Sequence, residues 1–373
     1  MECEHFGTCG SCTIYELSYE EELVEKKERV LGLLSPFKVE ALEVFSATPT
    51  HYRARSEFKI WHDGDIANYA MGRLDKKGAV NIIECPKVIE PIAKRMRPLL
   101  DAINASQNVL KKRLFAVEFL ATTTDECLLT MIYHRKLDEV WQEEAKELEK
   151  LLNAKIMGRS RKQKVVLSDE FVTEKLFIDG QDYVYRYYEN GFTQPNPTVN
   201  VHMIEWAIKQ AKKVEGQGDF LESYCGLGNF TLPLSKYFNK VLATEISKRS
   251  IYAAKENCAL NNVSNIEFIR LSSEEMTQAL NKERAFRRLE EIDLDAYDFS
   301  CVLVDPPRAG LDVDTVKLIQ NIDNIIYVSC NPETLARDLV ELSKTHEIDE
   351  SAIFDQFPHT HHVESGVFLR KRV

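Results

Sequence analysis

The run Ile325-Ile326-Tyr327-Val328-Ser329 stops at Cys330, and the turn residues Asn331 and Pro332 follow. An apolar run bounded this way reads as a buried strand, which puts a thiol at the carboxyl end where open α/β sheets keep their ligands. Sulfur there can attack an electrophile and later leave again, so Cys330 is a candidate nucleophile. Cys225, Cys258 and Cys301 read instead as small buried hydrophobes. Glu364 ends the stretch Phe357-Pro358-His359-Thr360-His361-His362-Val363 and is a candidate general base whose pKa burial would move. Read as a strand, that stretch sends His359 and His361 to one face and His362 and Glu364 to the other, which argues against a compact metal site.

Upstream, Glu222-Ser223-Tyr224-Cys225-Gly226-Leu227-Gly228-Asn229-Phe230 joins a strand to a helix. Glycines at such a turn let backbone approach a ligand and expose the amides of the helix start. A dinucleotide fingerprint would want a further glycine at position 231, which is Thr, so a nucleoside without a diphosphate fits better. Glu245 follows the next strand, placed to accept hydrogen bonds from both ribose hydroxyls. Turn and acid together resemble the S-adenosylmethionine site of class I methyltransferases. Asp305-Pro306-Pro307-Arg308 then forms a rigid loop after another buried run. Asp305 would face the cofactor or the base being modified. Taken alone, this turn suggests methylation of a planar nitrogen, on adenine or a glutamine side chain.

A third group lies at the N-terminus, where Cys3, Cys9 and Cys12 alternate with Gly7 and Gly10, with Cys85 a distant fourth thiol. Clustered thiolates in a reducing compartment suit zinc or an iron–sulfur cluster. The N-terminal residues carry no basic and apolar pattern of a leader, so the nine cysteines are expected to be reduced thiols of a cytoplasmic protein.

The elements that must position these groups are legible as patterns. Five apolar runs at 219–222, 240–244, 266–269, 301–304 and 325–328 alternate with helical segments, the signature of a doubly wound parallel sheet. The tail segments 352–357 and 366–369 are expected to form a hairpin on its edge. Before residue 190 the character differs: 51–62 and 128–134 read as strands, and 14–34 and 137–152 as amphipathic helices. This implies an α+β portion with alternating strands. The expected division is an N-terminal segment and helix at 1–50, an α+β domain at 51–185 and a catalytic domain at 186–373.

Composition bounds the function. At 44% hydrophobic and 29% charged residues the chain is of ordinary globular type, and no run reaches the length of a membrane span. A net charge of -11 argues against a passive nucleic-acid coat. Basic residues nevertheless cluster at 94–97, 111–113 and 155–164, where phosphates would sit if the ligand is a nucleic acid.

Assembled in order, Phe192-Thr193-Gln194-Pro195-Asn196, the 224–230 turn, Asp305-Pro306-Pro307-Arg308, Ser329-Cys330-Asn331-Pro332 and His361-His362-Val363-Glu364 resemble the signatures of the RNA uracil-5-methyltransferase family. The stretches 56–64, 272–279 and 354–358 are similar to its bacterial tRNA-modifying branch. The resemblance implies a class I, Rossmann-like S-adenosylmethionine-dependent methyltransferase sheet behind an N-terminal α+β RNA-binding domain. It implies cofactor contacts from Gln194, Tyr224, Asn229, Glu245 and Asp305, a nucleophile in Cys330 and a base in Glu364. Cys330 would add to uracil C6, C5 would take the methyl group, and Glu364 would remove the C5 proton. The substrate implied is a uridine in the tRNA T-arm, or in the tRNA-like part of tmRNA, met by a monomer. Cys3, Cys9, Cys12 and Cys85 look like the ligands of the 4Fe–4S cluster in the family's ribosomal RNA enzymes, which keeps large-subunit ribosomal RNA as an alternative substrate.

Overall fold

Local sequence sets the first helix. Ser18 caps α1 (Tyr19–Leu34): its hydroxyl accepts from the Glu21 amide, and the Glu21 carboxylate accepts from the Ser18 amide. The helix therefore begins after the cap and not at residue 14, as its periodicity suggests. In the computed structural model, which describes residues 2–214, 216 and 218–372, the rest of the N-terminal half follows as β1 (Glu43–Phe45), β2 (Arg55–Asp63), β3 (Ile66–Gly72), β4 (Ala79–Ile82), α2 (Glu90–Ala105), β5 (Leu114–Ala121), β6 (Cys127–Tyr133), α3 (Glu139–Leu152), β7 (Lys155–Ser160) and β8 (Gln163–Val166). A hairpin of β9 (Phe171–Ile178) and β10 (Gln181–Tyr188) leads into α4 (Pro197–Lys212). Then come β11 (Asp219–Ser223), α5 (Thr231–Leu234), β12 (Val241–Thr244), α6 (Lys248–Leu260), β13 (Ile266–Ile269), α7 (Ser273–Leu280), β14 (Phe299–Val304), α8 (Val313–Ile319), β15 (Asn324–Ser329), α9 (Pro332–Leu342), β16 (His346–Phe354) and β17 (Glu364–Lys371).

The five expected apolar runs are β11 to β15, and the parallel pairing runs β15-β14-β11-β12-β13. Strand order reverses between β11 and β14, and open sheets of this kind bind ligands at such a switch point. The tail hairpin is not a simple edge addition. β17 inserts antiparallel between β15 and β16, and β1 caps the outer edge parallel to β16. Residues 43–45, expected in the N-terminal segment, thus belong to the C-terminal sheet.

Both faces of that sheet are buried, as its continuous apolar runs require. Phe220, Leu303, Ile326, Val328 and Phe368 pack toward Trp206 of α4 and the β9–β10 tyrosines. Leu221, Val302, Val304, Tyr327 and Val367 pack toward Val30 and Leu34 of α1 and Leu335 and Leu339 of α9. The β9–β10 hairpin, which runs across the expected boundary at 185/186, shares its core with the doubly wound sheet because Tyr183, Tyr185 and Tyr187 turn one face into it.

The N-terminal sheet runs β4-β3-β2-β5-β6-β7-β8. Its inward residues, among them Phe58, Phe119 and Leu129, pack under Ile92, Met96 and Leu99 of α2 and Trp141 of α3. Among the described residues no helix is long and apolar enough to cross a membrane.

Candidate active site

Period-two alternation decides which groups meet. Glu222 lies two residues beyond Phe220, Asp305 two beyond Leu303 and Cys330 two beyond Val328, and all three reference residues point to the α4 side of the sheet. Glu364 stands opposite Phe354 in register, which also faces that side. Four reactive groups from four neighbouring strands therefore share one face at one edge.

Cys330 sits between β15 and α9, half-buried. Asn331 caps α9 through the Glu333 amide, and its own amide nitrogen donates to the Arg308 carbonyl at 3.0 Å, tying this turn to the Asp-Pro-Pro loop. Burial pushes the Cys330 thiol up to about 11, with Glu364 and Asp305 adding and Arg308 opposing. Glu364 is buried, and burial pushes it up to about 8, helped by Asp305 and opposed by Arg308. Asp305 is hemmed in closely enough to rise to about 7, yet part of its surface stays open. That opening is what a bound ligand needs.

The glycine turn follows β11. Tyr224 adopts a φ of 65° there, a left-handed conformation uncommon for a non-glycine residue and frequent at functional sites. Gly226 has a φ of +56° and open space where a Cβ would lie, whereas a Cβ on Gly228 would meet Leu232 at 2.5 Å. One glycine leaves room for a ligand, and the other lets the turn pack. Glu245 binds both ends of this wall, accepting from Gly226 at 3.2 Å and from Ser247 at 2.7 Å. Asn229 exchanges amide hydrogen bonds with Asn200 of α4 at 2.8 and 3.0 Å. Gln194 lies half-buried just before Asn196, the cap of α4. A cavity of about 240 Å³ opens beside Gly226, lined also by Phe192, Tyr188, Lys248, Arg249 and Tyr252. A cavity of about 950 Å³ between α2 and α3 contains none of these residues.

The sequence model of the tRNA (uracil-5-)-methyltransferase family matches residues 18–372. The chain belongs to this family. It is 70% identical over 372 residues to the tRNA/tmRNA (uracil-C(5))-methyltransferase of Sulfurovum sp. (strain NBC37-1), covering 100% of both chains. The protein of the same name from a Nitratiruptor species is 53% identical over 374 residues, again covering 100% of both. The crystal structure of Pyrococcus abyssi tRNA (uracil-54, C5)-methyltransferase in complex with S-adenosyl-L-homocysteine matches with a TM-score of 0.72, over 96% of this chain and 85% of that one. At 24% identity, that likeness speaks for the fold.

Within this tRNA (uracil-5)-methyltransferase chain the histidine stretch departs from expectation. Residues 355–363 form a loop, not a strand, and His359 has a φ of 63°. The loop is clamped from three sides. Lys26 Nζ contacts Glu22 at 2.6 Å and Asp355 at 2.7 Å, Tyr19 donates to Asp355 at 2.7 Å, and Tyr52 donates to the Pro358 carbonyl at 3.1 Å. The His359 amide donates to Glu22 at 2.8 Å, and its carbonyl accepts from Thr13 and Ile14. His359 is buried, while His361 and His362 are exposed. The loop's register, and so the position of Glu364, is fixed by a buried charge network.

Cys3, Cys9, Cys12 and Cys85 do come together around a cavity of about 20 Å³ that Lys87 also lines. Burial pushes the Cys12 thiol up to about 11, with Lys87 opposing and the other three thiols adding. By type, four soft donors suit a soft metal. Their arrangement does not close around one: among the described residues no three His, Cys, Asp or Glu side chains form a ligand set.

Arg308 carries no mark of a role in the sequence beyond its place in the Asp-Pro-Pro-Arg turn. The structure makes it the cation acting on both Cys330 and Glu364, while its Nη2 lies 3.2 Å from His362 Nδ1. Asn200 has only a weak signal in the sequence, an asparagine one turn after the Asn196 cap of α4.

Proposed function

We propose that this chain transfers the methyl group of S-adenosylmethionine to C5 of a uridine in the tRNA T-loop, and of the matching uridine in tmRNA. The observation that supports this reading is the shared face: Cys330, Glu364 and Asp305 lie on one face and one edge of the sheet, beside the glycine turn after β11. Gly226, Asn229, Glu245 and Asp305, with Gln194 and Tyr224, hold the cofactor. The Cys330 sulfur adds to uracil C6 as its proton passes to a nearby carboxylate, and the ring becomes an enolate nucleophilic at C5. Methyl transfer breaks the sulfonium S–CH3 bond and forms C5–CH3. Glu364 then takes the C5 proton, and the C6–S bond breaks to restore the thiol and the ring. Arg308 offsets negative charge as thiolate and enolate develop.

In this reading the N-terminal sheet, β2 to β8 of the expected 51–185 domain, binds the RNA. Lys112, Arg113, Lys136, Arg161 and Lys162 are exposed along one rim of the N-terminal sheet, in a chain that is net acidic. Phe115 stacks on His134 at 4.6 Å within that rim, offering a base a surface. Arg159 continues the rim toward Glu189 and Asn190, beside exposed Phe192 at the mouth of the site. The target uridine leaves its stack to reach Cys330.

The four gathered thiols have the donor type of a soft-metal site, zinc or iron–sulfur, without closing around an ion; in an enzyme we read as monomeric and cytoplasmic, they are the one feature favouring a ribosomal RNA substrate. Metal analysis of the purified protein, with absorbance near roughly 400 nm for a cluster, tests the site. Incubating the protein with tRNA and with ribosomal RNA, then mapping 5-methyluridine by mass spectrometry, tests the substrate. Product in the T-loop supports the reading, product in ribosomal RNA alone replaces it, and methylated adenine or none rejects it.

A further inference from the structure

The mechanism leaves one cavity unused. It holds about 240 Å³ between the end of β10, the glycine turn and the start of α6. Of the cofactor wall it touches Gly226; among the described residues, Glu245, Asp305 and Cys330 stand outside its lining. Its walls are fixed. Asn257 of α6 accepts from the Arg186 amide at 2.8 Å and donates to the Leu227 carbonyl at 3.1 Å, which locks hairpin and turn to one helix. Glu256 accepts from the hydroxyls of Tyr188 and Tyr252, whose rings meet edge to face 6.1 Å apart. Two large rings face water at the opening, Phe192 at 71% and Tyr252 at 57% exposure. Lys248 and Arg249 stand beside them, both exposed, and among the described residues neither makes an ion pair or a hydrogen bond. Glu170, on the same wall, is already paired with Lys164. Two unpaired cations in a chain of net charge -11 favour an anionic ligand.

Flat rings and free cations together match a nucleotide, the rings taking a base and the cations a phosphate. The cavity also lies where the basic rim of the N-terminal sheet ends. Arg159 reaches Asn190, part of the cavity wall, at 3.0 Å, so a backbone tracked along the rim arrives here beside the reacting edge. We propose that this cavity takes a second unstacked nucleotide of the RNA, its base laid on Phe192 and Tyr252 and its phosphate held by Lys248 and Arg249. Flipping the target uridine strips a stacking partner from its neighbours. The two rings return that stacking and hold the loop open while Cys330 reacts. Substrates are then selected by whether a loop can splay two nucleotides at once. That is a demand on shape more than on base identity, since every base has a π-face.

The inference rests on the T-loop reading of the substrate, so methylation of a T-arm hairpin by the wild-type protein comes first. No methylation there ends that reading, and this inference with it. Binding is then measured for a set of hairpins, each lacking one loop base other than the target's. The wild type should bind one of these abasic hairpins about tenfold more weakly than the intact one. Tyr252→Ala should bind the intact hairpin about tenfold more weakly and should lose little more with that same abasic hairpin, because the two changes remove one contact. Its affinity for S-adenosylmethionine, read by calorimetry, should stay at the wild-type value, which shows the variant folded and the cavity separate from the cofactor's. Lys248→Glu combined with Arg249→Glu should weaken every hairpin alike and reduce the slope of log affinity against log salt by about two contacts. Wild-type affinity of Tyr252→Ala for the intact hairpin overturns the proposal and leaves the rings to a ligand other than RNA. Additive losses at every abasic position overturn it too, as does an unchanged salt slope in the double variant. A fall in S-adenosylmethionine affinity with RNA binding intact would make the cavity part of the cofactor site instead.

Discussion

The two large sheets use the same alternation under opposite constraints. In the methyltransferase sheet both faces are covered, so alternation sorts chemistry to one side and packing to the other: Glu222, Asp305, Cys330 and Glu364 lie toward α4, while Leu221, Val304, Tyr327 and Val367 lie toward α1 and α9. In the N-terminal sheet, β2 turns Phe58 and Ile60 inward and leaves Glu57, Lys59 and Trp61 in water. Charge in the first sheet is desolvated, few in number and strongly perturbed; charge in the second is solvated and plentiful. Reaction needs the former and grip on a polyanion the latter. Disabling each sheet should therefore fail in a different observable.

The largest effect belongs to Cys330. Cys330→Ala should form no covalent adduct with RNA containing 5-fluorouridine and should lose activity by about 10⁴-fold, while still binding RNA. An undiminished adduct, seen as a gel shift that survives denaturation, would sink the assignment. Glu364→Gln should cost roughly 10²–10⁴ in turnover and should leave the methylated adduct to accumulate, because addition precedes proton removal. The base must be ionised, and burial places Glu364 at about 8, so wild-type kcat/KM should climb with pH through about 8. Loss of that limb in the variant distinguishes a base from a merely packed carboxyl.

Much of the first sheet was legible because two-sided burial writes continuous apolar runs, and the site lay where those runs met Gly, Asp-Pro or Cys-Asn. The resemblance supplied the chemistry expected of those ends. What stayed hidden depends on partners distant in sequence. β1 has three residues, too few to show a period, and exists because β16 offers it an edge. The 355–363 loop reads as strand-like until Lys26, Tyr19 and Tyr52 are seen holding it. The alternate tyrosines of β10 went unread as a strand, and which core they enter is set by α4 and the distant sheet they pack on. The spacing of Cys3, Cys9 and Cys12 suggested a gathering, and the structure shows one; ligand closure is a matter of side-chain geometry that spacing does not encode.

The clamp on that loop sets the next prediction. Lys26→Met removes the cation shared by buried Glu22 and Asp355 and leaves two uncompensated carboxylates. Denaturant unfolding should show a loss of about 3–5 kcal/mol. A change under about 1 kcal/mol would mean the network is solvated and the comparison of sheets overdrawn.

The smallest effect is expected from the solvated rim, and it is the sharpest test of the contrast. Arg161 and Lys162 form the turn between β7 and β8, both exposed. Arg161→Glu combined with Lys162→Glu should weaken RNA binding about tenfold near physiological salt and should reduce the slope of log affinity against log salt by about two contacts. Stability should change by less than about 0.5 kcal/mol, since surface substitutions away from packing rarely do more. At saturating RNA the Cys330 adduct should still form at the wild-type rate, because no charge at the rim reaches the desolvated edge. Were the adduct slowed at saturation instead, the N-terminal sheet would be shaping the reacting uridine and not only holding its backbone. The division between a gripping sheet and a reacting sheet would then fall.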